Sequence, residues 1–137
     1  MLVHETQLRV QYYETDQMGV VHHSNYVRYF EIGRTELMRH IELSYKEVED
    51  AGTVMPITDI KVRYFFPAHY DELISIKSSI KEMPKARMVF HYEIYNEQGK
   101  LLADGSATLA FVNKTTGRPQ RTPEALINIL SQYLKTE

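Results

Sequence analysis

The sequence contains no cysteine among its 137 residues, which excludes a disulfide framework, a thiolate zinc site and a cysteine nucleophile. It has no strong excess of one charge either: 16 basic and 18 acidic side chains give a net charge of -2. That balance favours neither nucleic acid nor an acidic membrane surface as a partner. No apolar run approaches the roughly 20 residues of a membrane-spanning helix, and no basic segment followed by an apolar one marks an export signal. We therefore expect a cytoplasmic protein with one domain over residues 1–137.

Two different hydrophobic periods follow each other in the first third of the chain. Residues 6–13 alternate, with Leu8, Val10 and Tyr12 on one face, which predicts a half-buried strand. Residues 24–41 carry apolar side chains three and four positions apart, which predicts a long helix with Ser24 as its N-cap. The predicted buried stripe of that helix is Tyr26, Tyr29, Phe30, Gly33, Leu37 and Ile41.

The rest of the chain favours strands, with helical segments at 44–51 and after Thr122. Four alternating segments lie between residues 54 and 112, and the last has a small centre at Ala103, Gly105 and Ala107, where a helix could lie close. Consecutive antiparallel strands need a cover for their apolar face, and the helix at 24–41 is the long candidate. The prediction is an α+β fold in which an antiparallel sheet wraps one long helix, with a C-terminal helix added.

The opposite face of the sheet also carries apolar side chains, which predicts self-association. We predict that most of the tyrosines lie in the core. The apolar outer set is Phe65, Val89, Tyr95, Leu102, Ala110 and Val112, and the core tyrosines are Tyr12, Tyr29, Tyr64 and Tyr92.

The segment from Tyr13 to His23 connects the first strand to the N-terminus of the long helix. Free backbone N–H groups and the helix dipole make that terminus a place for a developing oxyanion. Gly19 allows the chain to turn closely beside a bound group, and Asp16 supplies a carboxylate next to it. The segment therefore holds the parts needed for acyl transfer. It is equally a good turn in which Asp16 bonds local amides, and the residues alone leave both interpretations open.

An ordered set of residues from Tyr13 to Leu37 resembles the signature of the 4-hydroxybenzoyl-CoA thioesterase family of hotdog folds. It is most similar to the subgroup of bacterial acyl-CoA thioesterases associated with the Tol-Pal envelope system. The resemblance implies a five-stranded antiparallel sheet around a long helix, edge-to-edge dimers, and tetramers built from them. The matching residues are Tyr13, Thr15, Asp16, Gly19, Val20, Val21, His23, Asn25, Tyr26, Phe30, Glu31, Arg34 and Leu37.

The resemblance also implies roles for individual residues. Asp16 corresponds to the catalytic carboxylate, acting either as the nucleophile or as a base for water. The N–H of His23 corresponds to the amide that polarises the carbonyl, and its side chain would assist as a neutral imidazole. The other motif positions would contact the acyl-CoA substrate. These positions are Tyr13, Gly19, Val20, Val21, Asn25 and Tyr26.

Coenzyme A carries phosphates, so a local basic patch is expected on this near-neutral chain. Lys81, Lys85 and Arg87 surround Pro84 in a segment that resembles the family's nucleotide-binding stretch. The arginine pair usual in that stretch is replaced by Pro84 and Lys85. Arg63 is a further candidate for the same contact.

Two other functions fit the resemblance. One is a hotdog dehydratase acting on acyl carrier protein thioesters, which would use an acid on the long helix such as Glu31. The other is a non-catalytic acyl-binding partner in an envelope complex. We expect no separate cofactor, since CoA is part of the substrate, and no metal, since the remaining histidines are dispersed. Those histidines are His4, His40, His69 and His91.

Overall fold

A computed structural model describes residues 1–134, and the last three residues of the predicted domain lie outside the described residues. Within residues 1–134, no helix is long and apolar enough to cross a membrane. The helices are α1 (Asn25–His40), α2 (Tyr45–Asp50) and α3 (Glu124–Leu130). The strands are β1 (Leu2–Arg9), β2 (Thr53–Val54), β3 (Ile57–Tyr64), β4 (Leu73–Ile80), β5 (Arg87–Tyr95), β6 (Leu101–Asn113) and β7 (Pro119–Gln120).

Five strands of eight or more residues form the main antiparallel sheet in the order β1-β4-β5-β6-β3. The short strands β2 and β7 pair with the C-terminal end of β6. Among the described strands, β1 and β3 each have one neighbour and are therefore the two edges. The predicted α+β architecture with an antiparallel sheet is confirmed.

The 16-residue helix α1 packs on one face of this sheet. Phe30 is fully buried and stacks on Tyr92 of β5, with ring centroids 4.2 Å apart. Glycines allow the close approach: a Cβ on Gly105 of β6 would lie 2.1 Å from the carbonyl oxygen of Lys61 and 2.8 Å from the Phe30 ring. Because side chains as small as glycine are needed there, the predicted small centre of β6 is confirmed.

The end of the first strand was predicted wrongly. β1 ends at Arg9, and the chain then forms a 3-10 turn over Tyr12–Glu14 instead of continuing to residue 13. The Gln11 N–H donates to the Glu14 carboxylate at 2.7 Å, a local bond that competes with strand pairing. Tyr12 is therefore 76% exposed rather than in the core. Tyr64, also predicted in the core, is 50% exposed at the end of the edge strand.

The outer face of the sheet carries a row of charges across its centre in addition to the predicted apolar side chains, of which Phe65 and Val89 are exposed. Glu5, Lys77, Glu93, Asp104 and Arg63 lie in register on successive strands. Opposite charges face each other at three of the four steps along this row and stabilise the sheet, whereas Glu93 faces the like charge of Asp104. Self-association through this face therefore stays a prediction.

Leu102 departs from the predicted face for a local reason. The pairing of β5 with β6 shifts register between Ile94 and Tyr95, and Leu102 is 1% exposed. Its carbonyl accepts the N–H groups of both Phe65 (2.9 Å) and Phe66 (3.1 Å). The irregularity thus sets the course of the chain after β3.

Candidate active site

The segment after the 3-10 turn is a tight hairpin closed by Asp16 and Val20. The Asp16 N–H donates to the Val20 carbonyl at 2.9 Å, and the Gly19 N–H donates to the Asp16 carbonyl at 3.0 Å. Gly19 has a φ of +77°, which favours glycine. The Asp16 Oδ1 accepts the Met18 N–H at 2.8 Å. Asp16 is exposed, and within the described chain its Oδ2 accepts no hydrogen bond. One carboxylate oxygen therefore builds the turn while the other remains available.

Glu14 anchors this hairpin to α1 and was missed by the sequence reasoning. It is 5% exposed, and its carboxylate accepts from the Tyr29 hydroxyl at 3.0 Å as well as from Gln11. Its carbonyl accepts from the His22 N–H at 2.9 Å and from Nδ2 of Asn25 at 2.8 Å. No spacing rule singles out Glu14, because its partners are brought together only by the fold.

Asn25 was predicted to contact substrate, and the structure gives its side chain internal partners. It is 8% exposed, its Nδ2 is bonded to Glu14, and its Oδ1 accepts from the Arg28 guanidinium at 3.1 Å. Tyr13, by contrast, is 72% exposed, with the same guanidinium 6.0 Å from its ring centroid. Asn25 therefore holds the hairpin against the helix.

The N-terminus of α1 presents the backbone N–H of His23. Within residues 1–134, this N–H donates to no protein acceptor. The expected N-cap role of Ser24 is wrong: its backbone is helical and its hydroxyl lies 2.9 Å from Nδ1 of His22. The His23 carbonyl accepts from the Tyr64 hydroxyl at 3.3 Å. The terminus thus keeps a free donor, held in place from the edge strand.

A cavity of about 240 Å³, termed the aromatic cavity, opens at this helix terminus. Tyr26 meets Tyr64 edge to face in its wall, with ring centroids 5.1 Å apart. Burial is the main cause of the raised pKa of Tyr26, so its hydroxyl stays neutral. The predicted residues Val21, His23 and Tyr26 meet there. The full lining is Val21, His23, Tyr26, Tyr64, Phe65, Phe66 and Pro67.

Tyr13, Asp16, Gly19, Val20 and Asn25 do not line the aromatic cavity. The hairpin that carries Asp16 nevertheless adjoins it, because Val21 belongs to both: its N–H donates to the Ala68 carbonyl at 2.8 Å, and it pairs with Thr15 in an isolated bridge. The structure therefore places the predicted carboxylate on a hairpin beside the cavity that holds the predicted amide.

An imidazole paired with a carboxylate lies next to the hairpin and was missed from the sequence. His69 forms an antiparallel bridge with Val20, and its Nδ1 lies 2.9 Å from a carboxylate oxygen of Glu72. The i, i+3 spacing was the available signal. Within the residues that the structure describes, no group of three His, Asp or Glu side chains could hold a metal ion.

The basic residues predicted to meet CoA lie away from the aromatic cavity. Arg63 makes two bonds to Asp104 on the outer face, of 2.8 and 2.7 Å. Arg87 donates to the Thr58 hydroxyl at 3.1 Å and lines a different cavity. Lys85 is exposed. A single chain does not bring these three side chains together with His23.

A five-stranded antiparallel sheet packed on the long helix α1 defines a hotdog fold. Residues 10–130 match the family model described as the thioesterase-like superfamily, and the chain belongs to that family. It is 32% identical to the putative acyl-CoA thioesterase YneP of Bacillus subtilis, over 100% of this chain and 99% of the relative. It is 29% identical to the acyl-CoA thioester hydrolase YbgC of Escherichia coli, over 88% and 90% of the two chains.

Solved structures agree with this assignment of fold. The DHNA-CoA thioesterase from Staphylococcus aureus superposes with a TM-score of 0.91 at 32% identity, covering 97% of this chain and 91% of that one. A hypothetical protein from Thermus thermophilus superposes with a TM-score of 0.87 at 33% identity, covering 93% and 97%.

Proposed function

We propose that this protein hydrolyses acyl-CoA thioesters, releasing a carboxylic acid and free CoA without a separate cofactor. The observation that carries the proposal is the free N–H of His23 at the N-terminus of α1, on the wall of the aromatic cavity. Two relatives that align with 100% and 88% of this chain are named as a putative acyl-CoA thioesterase and an acyl-CoA thioester hydrolase, which supports the same reaction.

The N–H of His23 would polarise the thioester carbonyl. As the carbonyl is attacked, negative charge gathers on its oxygen, and a preorganised N–H with the positive end of a helix dipole stabilises that charge. Removing one such donor typically costs about 10²–10³ in rate. The His23 imidazole would assist from the same position as a hydrogen-bonding group.

Asp16 would supply the carboxylate that initiates the reaction. Its Oδ1 is used by the turn and its Oδ2 is free, which suits either direct attack to give a mixed anhydride or activation of a water molecule. In direct attack, Oδ2 bonds to the acyl carbon, the C–S bond breaks with CoA leaving as thiolate, and water then cleaves the anhydride. In the alternative, water attacks the acyl carbon while Asp16 takes its proton, and the C–S bond breaks with CoA leaving as thiolate.

The other residues predicted to contact the substrate would bind its acyl group and its nucleotide end. Val21 and Tyr26 would meet the acyl group inside the aromatic cavity, and Tyr13, Gly19 and Val20 would meet the substrate from the exposed hairpin. The nucleotide end would meet exposed basic side chains on the outer sheet face and in the loop before β5. These candidates are Arg63, Lys85 and Arg87.

The family resemblance is the ground for proposing a cytoplasmic homo-oligomer, a dimer or a tetramer. Edge strand β3 has one neighbour among the described strands and an exposed edge, which is what pairing between copies needs. The Tol-Pal-associated subgroup stays a prediction that rests on the ordered residues from Tyr13 to Leu37.

The decisive test is thiol release from benzoyl-CoA, a short acyl-CoA and a long acyl-CoA. Asp16→Asn keeps an oxygen acceptor for the Met18 N–H, so this variant should fold like wild type while its rate falls about 10²–10⁴-fold. Asp16→Ala removes the turn bond as well. If wild type releases no more thiol than Asp16→Ala on any substrate, the hydrolase is excluded and a non-catalytic acyl-binding protein is indicated.

The two routes for Asp16 are separated by one turnover in heavy-oxygen water. Label that appears in the Asp16 carboxylate after a single turnover supports direct attack. Label confined to the product acid supports a water activated by Asp16.

A further inference from the structure

A second cavity, of about 340 Å³, lies between α1, α2 and the start of β3. It shares no lining residue with the aromatic cavity. Its apolar walls are Met55, Ile57 and Leu109, and its polar wall includes Arg34 and Tyr45. This combination of apolar walls with a few convergent polar groups is typical of a small-molecule site.

Arg34 is a buried cation without a counterion. The residue is 6% exposed, and its Nη1 is buried and has no hydrogen-bond partner. Within the described chain, no carboxylate lies within ion-pair distance of its guanidinium. A buried charge of this kind is costly until an anion or a hydrogen-bond acceptor pairs with it.

Two tyrosine hydroxyls beside Arg34 are also unpaired. The Oη atoms of Tyr45 and Tyr92 are buried without hydrogen-bond partners. Burial raises the pKa of Tyr92 to about 12 and raises that of Tyr45 as well, against the opposing effect of the Arg34 guanidinium on both. Both hydroxyls are therefore neutral, and that of Tyr45 adds a second donor beside Arg34 in the polar wall of the cavity.

We propose that this second cavity binds a small carboxylate with an apolar body. Arg34 and Tyr45 would donate to the two carboxylate oxygens, because the planar guanidinium fork matches that geometry. The apolar body would pack against Met55, Ile57 and Leu109. The site is separate from the catalytic one: Arg34 lies about 12 Å along the helix axis from Tyr26.

Glu31 provides a second test of the proposal, because removing its charge should have the opposite effect to removing that of Arg34. This carboxylate lines the same cavity and belongs to an exposed residue, so it lies toward the solvent side. Its charge repels an entering anion, although solvent weakens that effect. Removing the Glu31 charge should therefore tighten binding of a carboxylate, whereas removing the Arg34 charge should weaken it.

The site can be tested by calorimetric titration of the full-length protein with benzoate. Benzyl alcohol, which is neutral and of similar size, is the control ligand. Benzoate should bind more tightly than the alcohol. Arg34→Met and Tyr45→Phe should each weaken benzoate binding, the first by about tenfold or more, with little effect on the alcohol. Glu31→Gln should strengthen it. Met keeps a long apolar side chain and removes a buried charge that has no counterion, so Arg34→Met should fold. Tyr45→Phe keeps the shape if the first variant fails to fold.

Asp16→Ala serves as the control for the catalytic site and should leave benzoate binding unchanged. The proposal is overturned if benzoate binds no better than the alcohol, or if folded Arg34→Met or Tyr45→Phe binds it as wild type does. It is equally overturned if Asp16→Ala abolishes binding, since the ligand then occupies the catalytic site. Thiol release measured in parallel is an independent readout, so loss of carboxylate binding and loss of hydrolysis are distinguishable.

Discussion

The hydroxyl of Tyr29 donates a 3.0 Å hydrogen bond to the buried carboxylate of Glu14. The bond joins the second turn of α1 to the turn that precedes the Asp16 hairpin, and both groups are removed from solvent. A carboxylate in such a place is costly unless its oxygens are paired, so this contact both fixes the hairpin and makes the burial of Glu14 tolerable.

Tyr29→Phe should lower the free energy of unfolding by about 1–3 kcal/mol, because it leaves the Glu14 carboxylate with one partner fewer. Chemical denaturation measures the change. Tyr133→Phe, at an exposed tyrosine, is the matched control and should stay within about 0.5 kcal/mol of wild type. If Glu14→Gln and Tyr29→Phe prove additive in a double-mutant cycle, the two side chains are not coupled.

Gly105→Ala should destabilise the fold by about 1–3 kcal/mol, because its Cβ would overlap the Lys61 carbonyl and the Phe30 ring, and overpacking a rigid core is costly. The melting temperature reports the effect. Ser106→Ala, at the next position of β6 on the other face, is the control. Equal stability of the two variants would mean that α1 does not lie as close to β6 as described.

Stability should decrease in acid through His4. Its ring stacks on that of His40, with centroids 4.6 Å apart, and its pKa is lowered by burial and by His40, with Glu36 acting in the opposite direction. The unfolded chain therefore takes up the proton first, so stability is full above about pH 6.5 and is lost as the pH falls through the lower folded pKa. Glu36 and His40 belong to α1, and Ser78 of β4 pairs with His4.

Melting curves between about pH 7.5 and 5.5 for wild type and His4→Gln test this linkage. The fall in melting temperature should be smaller in the variant. His91, whose pKa is also lowered by burial and by Lys81, is present in both proteins and cancels in the comparison. Parallel curves for the two proteins would remove His4 as a source of acid sensitivity.

Reversing the charges of Lys85 and Arg87 should raise the KM for acyl-CoA much more than the KM for an acyl-pantetheine, which lacks the nucleotide phosphates. Steady-state kinetics on the two substrates measure the difference. The same reversal at the exposed residues Lys114 and Arg118 controls for the change in net charge. Equal effects on both substrates would place Lys85 and Arg87 outside the nucleotide site.

The long elements of the fold could be predicted because their periodicity is local. Spacing alone indicated α1 within one residue at each end, and alternation indicated β3 to β6. The end of β1 could not be predicted, because a bond from Gln11 to Glu14 outcompetes the strand. The row of charges on the outer face was missed for a different reason. Alternation along one strand shows which side chains share a face, but only the pairing register shows that the charges from Glu5 to Arg63 lie opposite each other on neighbouring strands.

The candidate site was predictable where its parts are close in sequence. Asp16 and His23 belong to one segment and could be selected from it, and the alternative role of Asp16 in a turn is present in the structure alongside its free oxygen. Tyr64 could not be selected, because it reaches the His23 carbonyl from a strand 41 positions away. Glu14 likewise depends on Tyr29, which only the fold brings near.

The irregular pairing around Leu102 couples the β5–β6 hairpin to the shape of the aromatic cavity. The Leu102 carbonyl fixes the amides of Phe65 and Phe66, and both rings form part of the aromatic cavity. A change in the length of the Asn96–Gly99 turn would alter the register of β6 and so move the acceptor that holds those rings. Loop length at the turn of the β5–β6 hairpin is therefore a means by which relatives of this chain could diverge in pocket shape without substituting a single residue that touches the substrate.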